Sequence, residues 1–257
     1  MLMEHVLQKN RTWLIAHDDQ SLSSDQFERF DALARQRRNG QPMAYLLGER
    51  EFLGRMFHVS PAVLIPRPET ELLVETGLAC VANHQAASVL DLGTGSGIIA
   101  ISMACNRTGL QVMATDVSPA ALEVAKRNAS LHHVQIDFRP GSWYRAVPAG
   151  AEFDLILSNP PYIQEGDEHL SQGDLRHEPK GALTDGADGL SAIREIVHGA
   201  VDHLKPGGWL WVEHGYNQAE KVGSIFNQLG FRDIESKTDL AGIPRITGGR
   251  LLLNQRV

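Results

Sequence analysis

Residues 89–97 read Val89-Leu90-Asp91-Leu92-Gly93-Thr94-Gly95-Ser96-Gly97. The first four predict a short buried strand, and an apolar helix over 98–104 follows the three alternating glycines. Such a glycine loop lets the backbone approach a ligand closely, and the N-terminus of the helix offers unpaired N–H donors. The pattern predicts a ligand-binding loop, with a plain tight turn as the alternative.

The glycine spacing narrows the kind of ligand. It is G-x-G-x-G, not the G-x-G-x-x-G of dinucleotide folds, and the absence of a following Lys-Ser/Thr excludes a P-loop. Asp91 would repel a pyrophosphate but favours a cationic ligand such as S-adenosylmethionine. Asp116 ends the next predicted strand, where it can accept hydrogen bonds from a ribose or cap the following helix. Trp143 follows the third strand and either packs on an adenine ring or belongs to the core.

Strands and helices alternate from residue 87 onward. This predicts an α/β fold with a mostly parallel sheet covered by helices on both faces. The last two strands have no helix between them, so we expect them to pair antiparallel at an edge. The predicted strands are 89–92, 112–117, 135–138, 155–157, 209–213, 231–237 and 250–254. The predicted helices are 98–104, 119–129, 190–204 and 218–229, the third ending in a loop at 205–208.

The chain divides into three predicted parts. Residues 1–50 form a small helical domain, 51–68 a β-hairpin linker with a turn at Gly54, and 69–257 the larger domain. Ser23 is a plausible helix start. The segment opens without a clear helix start, and we expect an upstream helix to be missing.

A second informative stretch ends the predicted fourth strand. It reads Asn159-Pro160-Pro161-Tyr162. Two consecutive prolines stop the strand and fix φ, which makes the turn stiff. An amide before the turn and a ring after it suit the binding of a planar, NH2-bearing group. A plain strand-ending turn remains the alternative.

Overall composition excludes several classes of protein. The chain has 257 residues and a net charge of −7, which argues against bare nucleic acid as the main partner. The two cysteines, Cys80 and Cys105, form no CxxC pair, and the eleven histidines show no metal-ligand spacing, so no metal is predicted. The N-terminus does not resemble a signal peptide, and no apolar run reaches the ~18 residues of a membrane span. We expect a cytoplasmic protein with no membrane partner.

In their order, these features resemble a class I S-adenosylmethionine-dependent methyltransferase. Asn-Pro-Pro-Tyr after the fourth strand resembles the motif of enzymes that methylate planar nitrogen, either adenine N6 or glutamine N5. Three further stretches, 40–48, 63–71 and 178–190, narrow the choice together with Glu213-His214-Gly215-Tyr216. Together they are similar to the PrmC/HemK family, the release-factor glutamine N5-methyltransferases.

The resemblance implies a helical N-terminal domain, a hairpin linker and a seven-stranded, Rossmann-like catalytic domain with an antiparallel last strand. It implies S-adenosylmethionine as cofactor and the Gly-Gly-Gln glutamine of release factors as substrate. Separately, we expect no direct nucleic-acid partner and a monomer. Family members continue upstream of the segment matching Met1, so the N-terminal domain is expected to be shortened. Cofactor contacts are expected from Asp91, Gly93, Thr94, Gly95, Ser96, Gly97, Asp116, Trp143 and Asn159. The glutamine would be held by Asn159, Pro160, Pro161 and Tyr162, of which Asn159, Pro160 and Tyr162 would be catalytic.

A carboxamide nitrogen is a poor nucleophile because its lone pair is delocalised into the carbonyl. The Asn159 side-chain oxygen and the Pro160 carbonyl are expected to accept its two N–H groups, while Tyr162 covers the amide face. One alternative is an adenine N6-methyltransferase on DNA or RNA, which would use the same turn with a flipped base. Another is a non-catalytic cofactor-binding module with residues 1–68 as the interaction domain.

Overall fold

The computed structural model describes residues 1–84 and 86–252. Its N-terminal part contains the helices α1 (Leu2–Leu7), α2 (Arg11–Ala16), α3 (Ser24–Arg38) and α4 (Met43–Leu47). Helix α3 begins at the predicted serine, with a capping box in which Ser23 Oγ accepts from the Gln26 N–H and the Gln26 side chain accepts from the Ser23 N–H. These reciprocal bonds satisfy two donors at the helix start and fix where the helix begins.

A hairpin follows, made of β1 (Glu49–Phe52) and β2 (Arg55–His58). The predicted glycine turn is present, although the first strand begins two residues before the predicted start at 51. Phe52 and Phe57 are fully buried and pack edge to face with ring centroids 6.2 Å apart. Because both rings belong to the main hydrophobic core, the hairpin is anchored on the larger unit.

The larger unit is a seven-stranded sheet flanked by helices. Its strands are β3 (Ser88–Leu92), β4 (Gln111–Asp116), β5 (Asp137–Pro140), β6 (Phe153–Ser158), β7 (Leu204–Glu213), β8 (Arg232–Thr238) and β9 (Pro244–Arg250). Its helices are α5 (Glu69–Cys80), α6 (Ile98–Asn106), α7 (Pro119–Leu131), α8 (Lys180–Leu183), α9 (Ser191–His203) and α10 (Ala219–Gln228). The strand order is β5-β4-β3-β6-β7-β9-β8, in which β9 runs antiparallel to both of its neighbours. The predicted fold class, with its antiparallel last strand, is confirmed.

Alternate side chains of the central strands enter two separate cores. Leu155 and Trp211 join the cluster under α5 and α6, whereas Ile156 and Leu210 join the cluster under α9 and α10. All four are essentially inaccessible to solvent. Burial on both faces is what parallel strands with crossover helices require, and it explains their continuous apolar sequence.

Three predicted segments were wrong in position. The third strand was predicted at 135–138, but it runs from Asp137 to Pro140. The last strand was predicted at 250–254, but it runs from Pro244 to Arg250, and residues 253–254 lie outside the described residues. Gly248 and Gly249 lie within this strand, and a Cβ on Gly248 would lie 2.2 Å from the Trp211 ring, so the close packing itself requires glycine. The predicted loop 205–208 is part of β7 and contains an irregularity in register against β6.

The fold brings several loops to one edge of the sheet. The carboxyl ends of the parallel strands β3, β4 and β6 meet there, and β3 lies between the other two. In open α/β sheets, ligands bind at this edge, where the strand order reverses. Among residues 1–84 and 86–252, no helix combines the length and the apolar character needed to cross a membrane.

Candidate active site

A cavity of about 280 Å³ opens at this edge of the sheet. Four loops that follow strands contribute to its wall, together with segments from the linker and from α8. Its polar and loop residues include Arg67, Thr70, Gly93, Thr94, Gly95, Ser96, Asp116, Ser118, Gly141, Ser142, Trp143, Asn159 and Pro161. The cavity therefore collects most of the residues that the sequence singles out.

The glycine loop supplies one wall. Gly93, Thr94, Gly95 and Ser96 line the cavity, and Gly95 has a φ of +57° with no atom within 4 Å of the place a Cβ would occupy. Gly97 is outside the lining. A Cβ there would lie 2.7 Å from Ile101 Cδ1, so this glycine serves helix packing.

Asp91 lies behind the loop and does not line the cavity. Its Oδ2 accepts hydrogen bonds from Thr94 Oγ1 at 2.6 Å and from the Ala100 N–H at 3.2 Å. Its Oδ1 is buried with no hydrogen-bond partner, and burial raises the pKa of this carboxyl to about 7. Contrary to the expected direct cofactor contact, the side chain supports the loop and the start of α6 from beneath.

Asp116 and Trp143 line the cavity next to the glycine loop. Asp116 Oδ2 accepts from the Gly95 N–H and Oδ1 from the Ser118 N–H, both at 2.8 Å. The N-cap of α7 is Ser118 and not Asp116. The Asp116 carboxylate lines the cavity and keeps lone pairs that can accept further hydrogen bonds. Burial raises its pKa. The Trp143 ring lies against Gly93, where a Cβ would come within 3.1 Å of Cζ3. A carboxylate and a flat ring thus share one wall.

The Asn-Pro-Pro-Tyr turn is divided between the cavity and the core. Asn159 and Pro161 line the cavity, whereas Pro160 and Tyr162 do not. Asn159 Nδ2 donates to Thr70 Oγ1 at 3.1 Å, which leaves Oδ1 as the acceptor of this side chain. The Tyr162 hydroxyl donates to Glu213 Oε1 at 3.2 Å, and burial raises the pKa of Tyr162 well above its usual value. Tyr162 therefore anchors the turn, and the expectation that its ring covers the substrate amide has no support in this geometry.

Two residues at the site were missed by reasoning from sequence. Thr70, at the start of α5, donates its hydroxyl proton to Glu213 Oε2 at 2.7 Å, and Glu213 ends β7 with its side chain buried. Burial is the main cause that raises the pKa of Glu213 to about 7. Both residues lie in stretches that carried the family resemblance, but only the fold brings them beside Asn159.

A partly buried ion pair lies beside the cavity. Arg67 pairs with Glu178, and the second oxygen of Glu178 accepts the Ile65 N–H at 2.9 Å. The Glu178 side chain is fully buried. The pair joins the linker to the segment before α8, and both of these segments line the cavity.

Comparison with known proteins decides the family. A release factor glutamine methyltransferase from Bordetella pertussis is 52% identical over 251 residues, which cover 98% of this chain and 93% of that protein. The chain belongs to the release factor glutamine methyltransferase family. A protein of the same name from Burkholderia pseudomallei is 49% identical and covers 98% of this chain and 90% of the relative.

Two family models agree with this membership, and a solved structure agrees with the fold. The PrmC N-terminal domain matches residues 1–48, and the methyltransferase small domain matches residues 68–178. A methyltransferase structure from Pyrococcus furiosus superposes with a TM-score of 0.60 at 19% identity, covering 86% of this chain and 99% of the other. At that identity the superposition shows the shared fold. The predicted family and fold are confirmed.

Proposed function

We propose that this methyltransferase transfers a methyl group from S-adenosylmethionine to the side-chain amide nitrogen (N5) of the glutamine in the Gly-Gly-Gln motif of release factors. The observation that carries the proposal is the Asn159 side chain. Its N–H end is engaged by Thr70, so it offers a fixed carbonyl acceptor at the cavity wall. An acceptor held in this way suits a substrate group that presents N–H donors, as a primary amide does.

The residues around the cavity fit S-adenosylmethionine. Asp116 offers carboxylate lone pairs for ribose hydroxyls, Trp143 a flat face for adenine, and Gly95 an open backbone approach. Asp91 supports the glycine loop from beneath through its bond to Thr94. When bound, S-adenosylmethionine supplies a methyl group activated by its sulfonium. The chain supplies position and hydrogen bonds.

The turn prepares the amide nitrogen for reaction. Asn159 Oδ1 accepts one of the two N–H groups at the cavity wall, and we propose the carbonyl of Pro160, a buried residue outside the cavity lining, as the acceptor of the other. Both bonds weaken the overlap of the nitrogen lone pair with the substrate carbonyl. Pro160 suits this role because it has no N–H of its own, and the second proline fixes the direction of its carbonyl. The nitrogen lone pair would form the new N–C bond as the bond from the methyl group to sulfur breaks and a neutral thioether leaves, and one of the two amide protons would then pass to water. Correct positioning of the nitrogen supplies most of the rate.

The three parts of the chain have separate roles in this proposal. Residues 1–50 dock the release factor, 51–68 connect, and 69–257 carry out the transfer. Support comes from the match of residues 1–48 to the PrmC N-terminal domain and from the packing of the hairpin into the main core. We propose that the protein acts as a monomer. Modification of release factors places the reaction in the cytoplasm, in translation termination.

One experiment tests the proposed function directly. The protein is incubated with S-adenosylmethionine labelled on its methyl group and with release factor carrying either Gln or Ala in the Gly-Gly-Gln motif. We expect label in the Gln protein and none in the Ala protein. Label in DNA or RNA but not in release factor would instead indicate an adenine N6-methyltransferase, and no transfer to any of them would indicate a cofactor-binding module.

A further inference from the structure

We propose that Thr70 and Glu213 are positioning residues, which hold the Asn159 amide with its carbonyl oxygen toward the substrate. The inference rests on the proposed function, because it concerns how the acceptor for the glutamine amide is oriented. Neither residue has to touch the substrate nitrogen for this role. They act through Asn159, and Thr70 is the direct contact.

The hydrogen bonds between these side chains have a defined direction. An ionised carboxylate can only accept, so Thr70 must donate its single hydroxyl proton to Glu213 Oε2, at 2.7 Å. Thr70 Oγ1 can then only accept, and the Asn159 group facing it at 3.1 Å must be the NH2 end. The Tyr162 hydroxyl donates to the other oxygen of Glu213. With Glu213 ionised, a single orientation of the Asn159 amide satisfies every bond.

Protonation of Glu213 removes this constraint. A protonated carboxyl can donate to Thr70 Oγ1, and the hydroxyl proton of Thr70 then becomes available for Asn159. The amide satisfies that donor by turning its Oδ1 toward Thr70 and its NH2 toward the cavity. In this second arrangement, the Asn159 NH2 faces the N–H groups of the substrate, and the side-chain acceptor is lost.

The surroundings of Glu213 make both states accessible near neutral pH. Burial and the nearby Glu69 raise the pKa of Glu213 to about 7, whereas Thr70, Tyr162 and Arg245 oppose the rise. Arg245 is itself shared with Glu69 and with Asp239. His214 follows Glu213 in the chain, and burial lowers the pKa of His214 below its usual value. Arg67 lies near Tyr162 on the linker side.

Kinetics across pH test the inference, with four variants. Thr70→Val removes the hydroxyl at nearly constant volume, Thr70→Ser restores it, and Glu213→Gln removes the ionisation. Thr76→Val is the matched control, because Thr76 is a buried threonine on the same helix outside the cavity lining.

We expect the kcat of the wild type to fall about tenfold per pH unit below the ionisation of Glu213. Glu213→Gln should lose this acid limb. Thr70→Val should lower kcat about tenfold, the equivalent of one hydrogen bond, and should also lack the limb. Thr70→Ser should recover both, and Thr76→Val should resemble the wild type. Equal kcat for Thr70→Val and Thr70→Ser, or an unchanged acid limb in Glu213→Gln, would overturn the inference.

A second readout needs no methyl transfer. In the cofactor-free protein, NMR follows the Asn159 side-chain NH2 and the Glu213 carboxyl carbon through a pH titration. We expect the two to titrate together in the wild type and to be uncoupled in Thr70→Val. If release factor is not methylated but the signals titrate together, the proposed function fails, and the inference that Glu213 orients Asn159 through Thr70 stands. If the Asn159 NH2 signal does not change as the Glu213 carboxyl titrates, the inference about Thr70 and Glu213 is wrong, whatever the methylation activity.

Discussion

The carboxylate of Asp116 accepts a 2.8 Å hydrogen bond from the backbone N–H of Gly95. This bond joins the end of β4 to the glycine loop after β3, so the two strand ends hold each other in place. Its effect is to set the loop conformation independently of a ligand. The glycines of the loop can then be assigned different tasks. Gly95 leaves open space beside the cavity, and Gly97 lets α6 and α7 approach.

Alanine at each of these glycines should separate binding from folding. Gly95→Ala places a methyl in open space beside the cavity at a φ of +57°, so it should cost about 1 kcal/mol of stability. Because the methyl lies where the backbone approaches the ligand, it should weaken cofactor binding by about tenfold or more. Gly97→Ala adds overlap with Ile101 and Ala125, and should cost about 2–4 kcal/mol. Thermal unfolding and calorimetric titration with S-adenosylmethionine measure the two effects. The assignment is wrong if Gly95→Ala binds the cofactor normally.

Removal of the amide at Asn159 should affect catalysis and leave cofactor affinity nearly unchanged. Loss of a preorganised hydrogen-bonding group at a reacting centre typically costs about 10²–10³ in turnover, and we expect this range for Asn159→Ala. Methylation of release factor gives the rate, and calorimetry gives the affinity for S-adenosylmethionine. Asn106→Ala is a suitable control, because Asn106 bonds to Ser102 within α6 and is outside the cavity lining. Near-normal methylation by Asn159→Ala would refute its assigned role.

The sequence predicted those parts of the site that are local in the chain. The glycine loop and Asn159 were recognised because they directly follow strands, and Asp116 because it ends one, where a sheet presents its ligand-binding edge. Thr70 and Glu213 were not, because they are separated by 143 positions and are brought into contact only by the packing of α5 against the end of β7. A hydrogen bond of that kind leaves no local pattern.

The motifs gave the order of the site segments along the chain, but they could not show which of their side chains are buried. Asp91 and Tyr162 belong to stretches that the resemblance placed at the ligand, but their side chains are turned into the protein. The last strand was misplaced for a related reason. Its glycines are dictated by Trp211 and Phe226, which are distant in sequence, and not by a turn.

The buried Glu213 should make stability depend on pH. Its pKa in the folded protein is about 7, above its ordinary value of 4.5, so folding favours the protonated form. The stability associated with that proton is complete below about pH 4.5 and is lost as pH rises to about 7. The Tm difference, Glu213→Gln minus wild type, should therefore increase between about pH 5 and pH 8. Glu235→Gln, at an exposed site, should show a constant difference. A constant difference for Glu213→Gln would contradict this prediction.

The ion pair between Arg67 and Glu178 should couple the linker to the segment before α8. Arg67→Met leaves a fully buried carboxylate without its cation, which should destabilise the protein by about 3–5 kcal/mol. Adding Glu178→Gln removes the unpaired charge, so the double variant should be more stable than Arg67→Met alone. The comparison pair is Arg37 with Asp174, where both side chains are more than 40% exposed, and Arg37→Met should cost no more than about 1 kcal/mol.

Denaturant unfolding of the two single variants and of the double variant gives the coupling energy between Arg67 and Glu178. A coupling as small as that of an exposed pair would mean that the segment before α8 is held by its other contacts. A large coupling would have a consequence for the reaction, because both partners' segments line the cavity. Arg67→Met should then raise the KM for release factor and also lower the stability. The double variant should recover most of the stability but less of the KM, because the guanidinium is still missing from the cavity wall.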